Sequence, residues 1–291
     1  MTSNGSARAP DVRITEFTDP GCPWAYSAEP FRRRLDWLYG ERLEWRIRMV
    51  GLSETPEDYA EKGMTPETQA EQFERIAKEH LMPIDTAQRP RMTATVPACR
   101  AIVAARLNAP ERERKLLRCL RVRNFSGELL DEPEMIAGAA RDAGLDPAEV
   151  REWSGREDVE TALRADMKTA REPMPAARVL DEKLANWSGG RRYTCPSYEI
   201  LRVSDGVRIA VPGFQPFSVY DVVLANLVPD SERRDPAESA EEVLEWTGTP
   251  LASQEVAVVR DIPFERAREE LGHVAQERHV GFDGFWSLPA G

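Results

Sequence analysis

Three short segments near the start of the chain differ in the spacing of their apolar residues. Apolar side chains at positions 12–17 are spaced as in a strand, whereas those at positions 31–38 recur at the spacing of a helix. Residues 43–50 alternate between apolar and charged, which is typical of a half-buried strand. A strand, a helix and a second strand in this order predict a parallel pair joined by a right-handed crossover.

Between residues 53 and 189 the strand patterns give way to helix signals. Thr65-Pro66, Asp131-Glu-Pro133 and Asp146-Pro147 each place a capping residue and a proline where a helix can begin. Gly144 stands where a helix should end. We therefore expect a helical insertion of about six helices in this part of the chain.

Strand patterns return after the insertion. Apolar runs at positions 197–203 and 207–211 flank a turn that contains Asp205-Gly206, which predicts an antiparallel hairpin. Residues 216–227 then have the apolar positions of a closing helix. The fold class is predicted to be α/β, with the helical region inserted between the second strand and this hairpin.

The two ends of the chain have a different composition. Residues 1–11 are expected to form a disordered leader, and the polar, proline-containing segment 229–237 a linker. Residues 238–291 predict a small helical appendage that resembles a winged-helix module, with helices at 240–246, 253–259 and 263–277 and a tight hairpin at 280–286. The third of these helices carries too many glutamates for a DNA-reading surface.

Composition excludes several classes of partner and suggests a compartment. The net charge is −11, so we expect no general attraction to nucleic acid or to an anionic membrane. No apolar run approaches the roughly 20 residues of a membrane-spanning helix, and the first residues lack signal-peptide features. The four cysteines do not have the closely spaced pairs of a disulfide framework, which favours free thiols in the cytoplasm. Cys99 and Cys119 are interpreted as small buried residues of the insertion.

The position of Cys22 suggests chemistry. The first strand breaks at Pro20-Gly21, so Cys22 is predicted at the N-cap of a helix with Pro23 at its first position. Amides and the positive dipole at a helix start can lower a cysteine pKa from about 8.5 to between roughly 3.5 and 7.5. Cys22 is therefore the candidate nucleophile.

Other titratable residues are weaker candidates. Asp19 and Glu29 flank the predicted helix start and are interpreted as capping and dipole residues. Glu16 is a secondary candidate for a proton relay. His80 lies in the insertion, and structural or solvent-exposed roles are favoured for it because no histidine has metal-ligand spacing.

Five different short motifs are spread along the chain: Asp19-Pro-Gly-Cys-Pro-Trp-Ala25, Pro97-Ala-Cys-Arg-Ala101, Ala143-Gly-Leu-Asp146, Thr194-Cys-Pro-Ser197 and Gly213-Phe-Gln-Pro216. Together they resemble the DsbA-like thioredoxin family over residues 12–228. Within it, the chain is similar to the cytosolic FrnE-type branch, which is related to 2-hydroxychromene-2-carboxylate isomerases and kappa-class glutathione transferases. The resemblance implies a thioredoxin-like core at 12–52 and 190–228, interrupted by the insertion at 53–189.

The resemblance also implies roles for individual residues. Cys22 matches the attacking cysteine of the family, and Pro196 matches a cis-proline beside the active thiol. Ala25 departs from the family because it replaces the second cysteine of the motif, so ordinary dithiol oxidation within the motif is excluded. Cys195, which precedes the proline, is expected to face Cys22 and either to resolve or protect it, or to be only a small wall residue. The expected substrate-binding walls are Pro23, Trp24, Tyr26, Thr194, Tyr198 and Phe214.

The predicted function is thiol–disulfide exchange through one motif cysteine, acting on a protein or a low-molecular-weight thiol. No cofactor and no metal are expected, since Cys22 and Cys195 supply two ligands where zinc normally takes four. The sequence is compatible with a homodimer. Two alternatives stay open, namely a glutathione-transferase-like or isomerase-like enzyme and a redox-silent thioredoxin-fold binding module.

Overall fold

The computed structural model describes residues 9–289, so most of the predicted leader lies outside the described residues. The first strand, β1, spans Val12–Thr18 and is followed by helices α1, Pro23–Ser27, and α2, Glu29–Tyr39. Strand β2, Leu43–Met49, pairs with β1 in parallel. The predicted strand, helix and parallel strand are thus confirmed, although the helical segment is divided into two helices.

The insertion contains six helices of at least eight residues, as expected, and two helices of only four residues. The helices are α3 Glu57–Ala60, α4 Pro66–His80, α5 Val96–Asn108, α6 Glu113–Phe125, α7 Pro133–Ala143, α8 Pro147–Ser154, α9 Glu157–Ala170 and α10 Pro175–Arg178. All three predicted prolines begin a helix, but Asp131 does not cap α7, whose N-cap residue is Glu132 and has no side-chain capping bond. Thr65 caps α4 through the backbone N–H of Thr68, Asp146 caps α8, and Gly144 ends α7 at φ +79°.

A small hairpin that the sequence analysis missed closes the insertion. Strands β3, Leu184–Trp187, and β4, Gly190–Tyr193, pair only with each other. The expected boundary at 189/190 falls inside this hairpin. Its strands are too short for a clear alternation, but the Gly189-Gly190 pair at the turn was a usable signal.

The chain then returns to the main sheet. Strands β5, Ser197–Arg202, and β6, Arg208–Val211, form the predicted antiparallel hairpin, and helix α11, Phe217–Leu227, follows. The four strands lie in the order β2-β1-β5-β6, with β1 antiparallel to β5. Because β1 and β5 are antiparallel, the C-terminal end of β1 lies beside the start of β5, with Phe17 opposite Ser197. This arrangement brings the segment before Cys22 close to the segment before Ser197.

The C-terminal appendage has the predicted helices and one additional short strand. Helices α12, Ala240–Thr247, α13, Ser253–Arg260, and α14, Phe264–Val274, surround strands β7, Leu251–Ala252, β8, Gln276–Val280, and β9, Asp283–Ser287. The expectation that the third helix reaches residue 277 is wrong, because residues 276–280 pair with β9 instead.

The appendage packs on helix α2 rather than hanging from a free linker. Trp37 of α2 belongs to the same buried apolar cluster as Leu244, Val256 and Leu271 of the appendage. The Trp37 indole N–H also donates to the carbonyl of Asp235 in the predicted linker at 2.7 Å. The linker therefore lies against the core. Among residues 9–289, no helix is long and apolar enough to cross a membrane.

Candidate active site

Cys22 lies at the start of helix α1, as predicted. Its backbone is extended, with φ −84° and ψ 115°, and Pro23 occupies the first turn, where its missing N–H costs no hydrogen bond. The preceding turn is held by Asp19, whose Oδ1 accepts a hydrogen bond from the N–H of Gly21 at 2.8 Å. Cys22 is only 6% exposed, but it lines a groove of about 400 Å³ that opens to solvent. We call this the Cys22 groove.

Cys195 lies beside Cys22 and also lines the Cys22 groove. The thiol Sγ of Cys22 lies 3.3 Å from the carbonyl oxygen of Cys195, although the two residues are 173 positions apart. Both cysteines are free thiols, and the Cys195–Pro196 peptide bond is cis. The structure therefore brings together Cys22, Cys195 and Pro196.

The loop that carries Cys195 is fixed by hydrogen bonds on both sides. The hydroxyl of Thr194 donates to the carbonyl of Lys183 at 2.9 Å, and the hydroxyl of Ser197 donates to the carbonyl of Thr194 at 2.8 Å. Ser197 Oγ also accepts from the N–H of Gly213 at 3.0 Å. These bonds join the loop to the two segments that complete the groove.

The surroundings lower the pKa of the Cys22 thiol below its usual value of 9.0. A hydrogen bond from the Cys195 thiol is the largest cause, and the backbone N–H groups of Ala25 and Trp24 act in the same direction. Burial and the charge of Asp19 oppose them. Conversely, burial and the neighbouring Cys22 raise the pKa of Cys195 well above its usual value. Cys22 is thus the thiol that ionises first.

Asp19 does more than cap a turn, which corrects its sequence interpretation. Its Oδ2 accepts hydrogen bonds from the N–H of Leu52 and the hydroxyl of Thr95, both at 2.9 Å. The thiol of Cys99 donates to the same oxygen at 3.5 Å. Asp19 therefore ties the end of β1 to the insertion, and its burial raises its own pKa.

Three of the predicted wall residues line the Cys22 groove, namely Trp24, Thr194 and Phe214. Tyr26 and Tyr198 do not, so their assignment as groove walls is wrong.

Tyr26 is fully buried, stacks on Phe125 and donates its hydroxyl to a backbone carbonyl of the insertion. Tyr198 is buried in an apolar cluster that also contains residues of β1, α2 and α11. Their side chains leave the helix and the strand on the faces that point into the core. Pro23 is half-buried beside the groove without lining it.

Several groove residues were not found from the sequence. Glu182, Lys183 and Arg192 give the groove a charged rim, and they come from the missed hairpin and the turn before it. His80 packs on Trp24 and Phe214, with ring centroids 5.1 and 4.5 Å apart. Burial lowers the pKa of His80, so it is expected to be neutral. Only the tertiary fold brings the three charged residues to the groove and His80 to two of its walls.

A second buried site joins residues of β1, α2, α6 and α13, and we call it the ionic cluster. It contains three carboxylates and four guanidinium groups, from Glu16, Glu29, Glu255, Arg32, Arg33, Arg118 and Arg121. Arg121 binds Glu29 at 2.8 Å, and Arg118 binds Glu255 at 2.5 Å. Glu29 is therefore a buried ion-pair residue rather than a residue that merely complements a helix dipole. Glu16 is likewise ion-paired, with Arg32 at 3.3 Å, which removes the basis for a proton relay.

The remaining cysteines lie away from the groove. Burial raises the pKa of Cys99 well above its usual value, and it raises the pKa of Cys119 to about 11. Within residues 9–289, no group of three or more histidine, cysteine or acidic residues is arranged to hold a metal ion.

Residues 16–183 match the protein family described as Thioredoxin. Because the match covers more than half of the chain, the protein belongs to this family. The matched range includes Cys22 and most of the insertion, and it ends before Cys195.

Two curated relatives are both named ClpXP adapter protein SpxH. The chain is 27% identical to the protein from Halalkalibacterium halodurans, and the match covers 89% of this chain and 81% of the relative. It is 24% identical to the protein from Bacillus subtilis, over 92% of this chain and 85% of the relative.

Two solved structures show the same fold. A probable DsbA oxidoreductase from Streptomyces coelicolor aligns with a TM-score of 0.55 and 20% identity, covering 78% of this chain and 93% of that one. The cytosolic disulfide reductase DsbM from Pseudomonas aeruginosa aligns with a TM-score of 0.53 and 17% identity, covering 74% and 99%. The thioredoxin-like α/β fold with an additional helical region, which the sequence predicted, is confirmed.

Proposed function

We propose that the protein carries out thiol–disulfide exchange through Cys22, on a disulfide in a polypeptide or a low-molecular-weight compound. The observation that carries this proposal is the lowered pKa of Cys22 at the start of α1, in an open groove beside Cys195-Pro196. In the first step, the Cys22 thiolate attacks one sulfur of the substrate disulfide. A new disulfide links Cys22 to the substrate, and the other substrate sulfur leaves as a thiolate that takes up a proton.

The second step needs another thiol, because alanine occupies position 25. We assign this role to Cys195, whose sulfur would attack Cys22 and release the second substrate thiol. The substrate disulfide then gains two electrons and two protons, and the protein keeps a Cys22–Cys195 disulfide. A small cellular thiol would afterwards reduce that disulfide. Because burial raises the pKa of Cys195, resolution is expected to be slower than the first attack.

The test is brief exposure of the full chain to oxidised glutathione, followed by mass spectrometry of the linked peptides. The unchanged chain is expected to form a Cys22–Cys195 disulfide, and Cys195→Ala is expected to accumulate a mixed disulfide at Cys22. Cys22→Ser should form neither product. If Cys22 stays free, the proposed exchange is wrong. If Cys195→Ala releases the substrate as fast as the unchanged chain, only the role of Cys195 is overturned.

The chain also allows a gain-of-function control. Ala25 is buried one turn after Cys22, so Ala25→Cys restores a dithiol motif with little change in volume. This variant is expected to reduce insulin disulfides faster than the unchanged chain when dithiothreitol is the reductant. No gain would mean that this groove does not accept a polypeptide disulfide.

A second candidate function is binding of a partner protein as an adapter. It is favoured by the relatives named ClpXP adapter protein, which this chain matches over more than four fifths of their length. Large apolar side chains are also exposed within a few residues of the groove-lining Glu182 and Lys183, with Val179 81%, Leu180 41% and Trp187 38% exposed. Such a surface suits a polypeptide better than a small thiol.

The two candidates differ in their dependence on the thiol. An adapter should bind purified ClpX from the same organism, and Val179→Glu with Leu180→Glu should weaken that binding, whereas Cys22→Ser should not. Analytical ultracentrifugation of the chain alone and with ClpX measures this binding and also tests the predicted homodimer. Loss of binding on Cys22→Ser would instead make the thiol part of the interaction.

We also infer a cytoplasmic location, supported by the similarity to ClpXP adapters and to a cytosolic disulfide reductase. Kinship with the FrnE-type branch and with the isomerases and transferases remains a prediction from the sequence motifs. A transferase would conjugate glutathione to an electrophile, and such turnover by the purified chain would favour that alternative.

A further inference from the structure

A second cavity lies between the insertion and the appendage, and it shares no lining residue with the Cys22 groove. Its volume is about 500 Å³. One wall is formed by Lys115, Cys119 and Val122 of α6, and another by the turn at residues 248–250 and by Arg278 of β8. The cavity therefore exists only because the appendage is packed against α6.

Among the described residues, some of the charged side chains that line this cavity have an ion-pair partner and others have none. Arg123 is neutralised by Glu128 and Asp142, which also line the cavity, at 2.9 and 2.7 Å. Lys115 and Arg278, by contrast, form no ion pair with any residue in the described part of the chain. The guanidinium of Arg278 donates to the hydroxyl of Ser126, at 3.3 Å, and lies over the ring of Phe285. Two uncompensated cations thus line one cavity in a protein of net charge −11.

Arg118 connects this cavity to the ionic cluster. Its side chain is 8% exposed, and its two terminal nitrogens bind Glu29 and Glu255. Its Nε is buried without a hydrogen-bond partner among residues 9–289. The cavity wall therefore includes a nearly buried cation with an unused donor, next to the carboxylates that join the appendage to the core.

We propose that this cavity binds an organic anion that has an acidic group and an apolar body. Arg278 attracts the acidic group from its position at Ser126, while Val122, Cys119 and Pro250 contact the apolar body. Lys115, about 16 Å earlier along α6, adds a second positive charge at the other end of the cavity. The volume falls within the range of small-molecule sites, about 300 to 1,000 Å³. Because the ligand would touch both α6 and the appendage, its binding stabilises their contact. Cys119 serves as a wall rather than a nucleophile, since burial keeps it protonated.

The probe for this proposal is 8-anilinonaphthalene-1-sulfonate, which combines a sulfonate with an aromatic body and fluoresces when it binds. The full chain is titrated in parallel with the Lys115→Glu, Arg278→Glu double variant and with a matched control, Lys168→Glu with Arg208→Glu. The control residues are exposed and lie outside the cavity. Protection of Cys119 from alkylation, read by mass spectrometry, locates the bound probe.

The cavity variant is expected to bind the probe about tenfold or more weakly, because both attractive charges become repulsive. The control variant should bind as the unchanged chain does, and bound probe should slow alkylation of Cys119. Uncharged N-phenyl-1-naphthylamine should bind more weakly than the sulfonate. Equal binding of the neutral and anionic probes, or no loss in the cavity variant, would overturn the proposal. Binding without protection of Cys119 would overturn it equally.

Discussion

The Cys22 groove and the ionic cluster differ in how the protein stabilises a buried charge. In the ionic cluster, each carboxylate is held by a guanidinium partner of opposite charge. Beside the groove, the charge of Asp19 raises the pKa of Cys22 and so opposes its ionisation. The thiolate is stabilised instead by neutral donors, namely a second thiol and two backbone N–H groups.

This difference distinguishes a site that stabilises the fold from a site that can react. A charge held by opposite charges cannot leave without a large loss of stability, because its partners would remain buried and unpaired. A charge held by neutral dipoles can appear and disappear while the surrounding fold stays intact. The ionic cluster therefore suits a role in joining segments of the chain, and the groove suits a reactive thiol.

The largest expected effect is a loss of stability when the ionic cluster is broken at its contact with the appendage. Glu255→Gln removes the partner of Arg33 and one partner of Arg118, and we expect a loss of about 3 kcal/mol in the free energy of unfolding. Urea unfolding followed by tryptophan fluorescence measures it. Glu74→Gln, which removes an exposed pair with Lys78, should leave the stability nearly unchanged. Similar stabilities for the two variants would show that the cluster does not anchor the appendage.

The second-largest expected effect is the difference in alkylation rate between the thiols of Cys22 and Cys119. At pH 7.5, Cys22 is expected to react with iodoacetamide at least about a hundredfold faster than Cys119, since the pKa of Cys119 is raised to about 11 and that of Cys22 is lowered from 9.0. Peptide mass spectrometry over time gives both rates from one sample. Comparable rates would mean that the groove does not activate its thiol.

A third experiment uses the pH dependence of the ionic cluster. Burial alone would raise the pKa of Glu29, but the charges of Arg118, Arg121 and Arg32 outweigh it and lower the pKa below 4.5. Glu29 therefore stabilises the fold above about pH 4.5, and this contribution falls by up to about 1.4 kcal/mol per pH unit below it. We expect the stability difference between the unchanged chain and Glu29→Gln to shrink as the pH falls from 5 to 3. A constant difference would contradict a lowered pKa.

The smallest expected effect concerns Asp19. Its charge raises the pKa of Cys22, so Asp19→Asn should lower that pKa and speed alkylation of Cys22 at pH 7 by roughly twofold. Thr95→Val serves as a control, because it removes a hydrogen bond to Asp19 without removing the charge. Slower alkylation in Asp19→Asn would mean that Asp19 acts mainly by positioning the turn.

Most of the site's central residues could be predicted, and most of its periphery could not. Cys22 is marked by local signals, since a strand ends at Pro20-Gly21 and a helix begins at Pro23. Cys195 and Pro196 were located by their motif and by the order of elements. Lys183, Arg192 and His80 gave no such signal, because they lie on segments with no sequence link to the groove. The errors at Tyr26 and Tyr198 arose because the side-chain direction within an element depends on how that element packs.

The amino-acid sequence by itself determined the order of strands and helices, the break before Cys22 and the missing second cysteine at Ala25. These features follow from local backbone preferences and from residue identity, which act within a few positions. Only the tertiary structure decided that Cys195 faces Cys22, that Glu29 and Glu255 share Arg118, and that the appendage closes a cavity with α6. Each of these contacts joins segments that are far apart in the chain, and packing, rather than local preference, determines which of them meet.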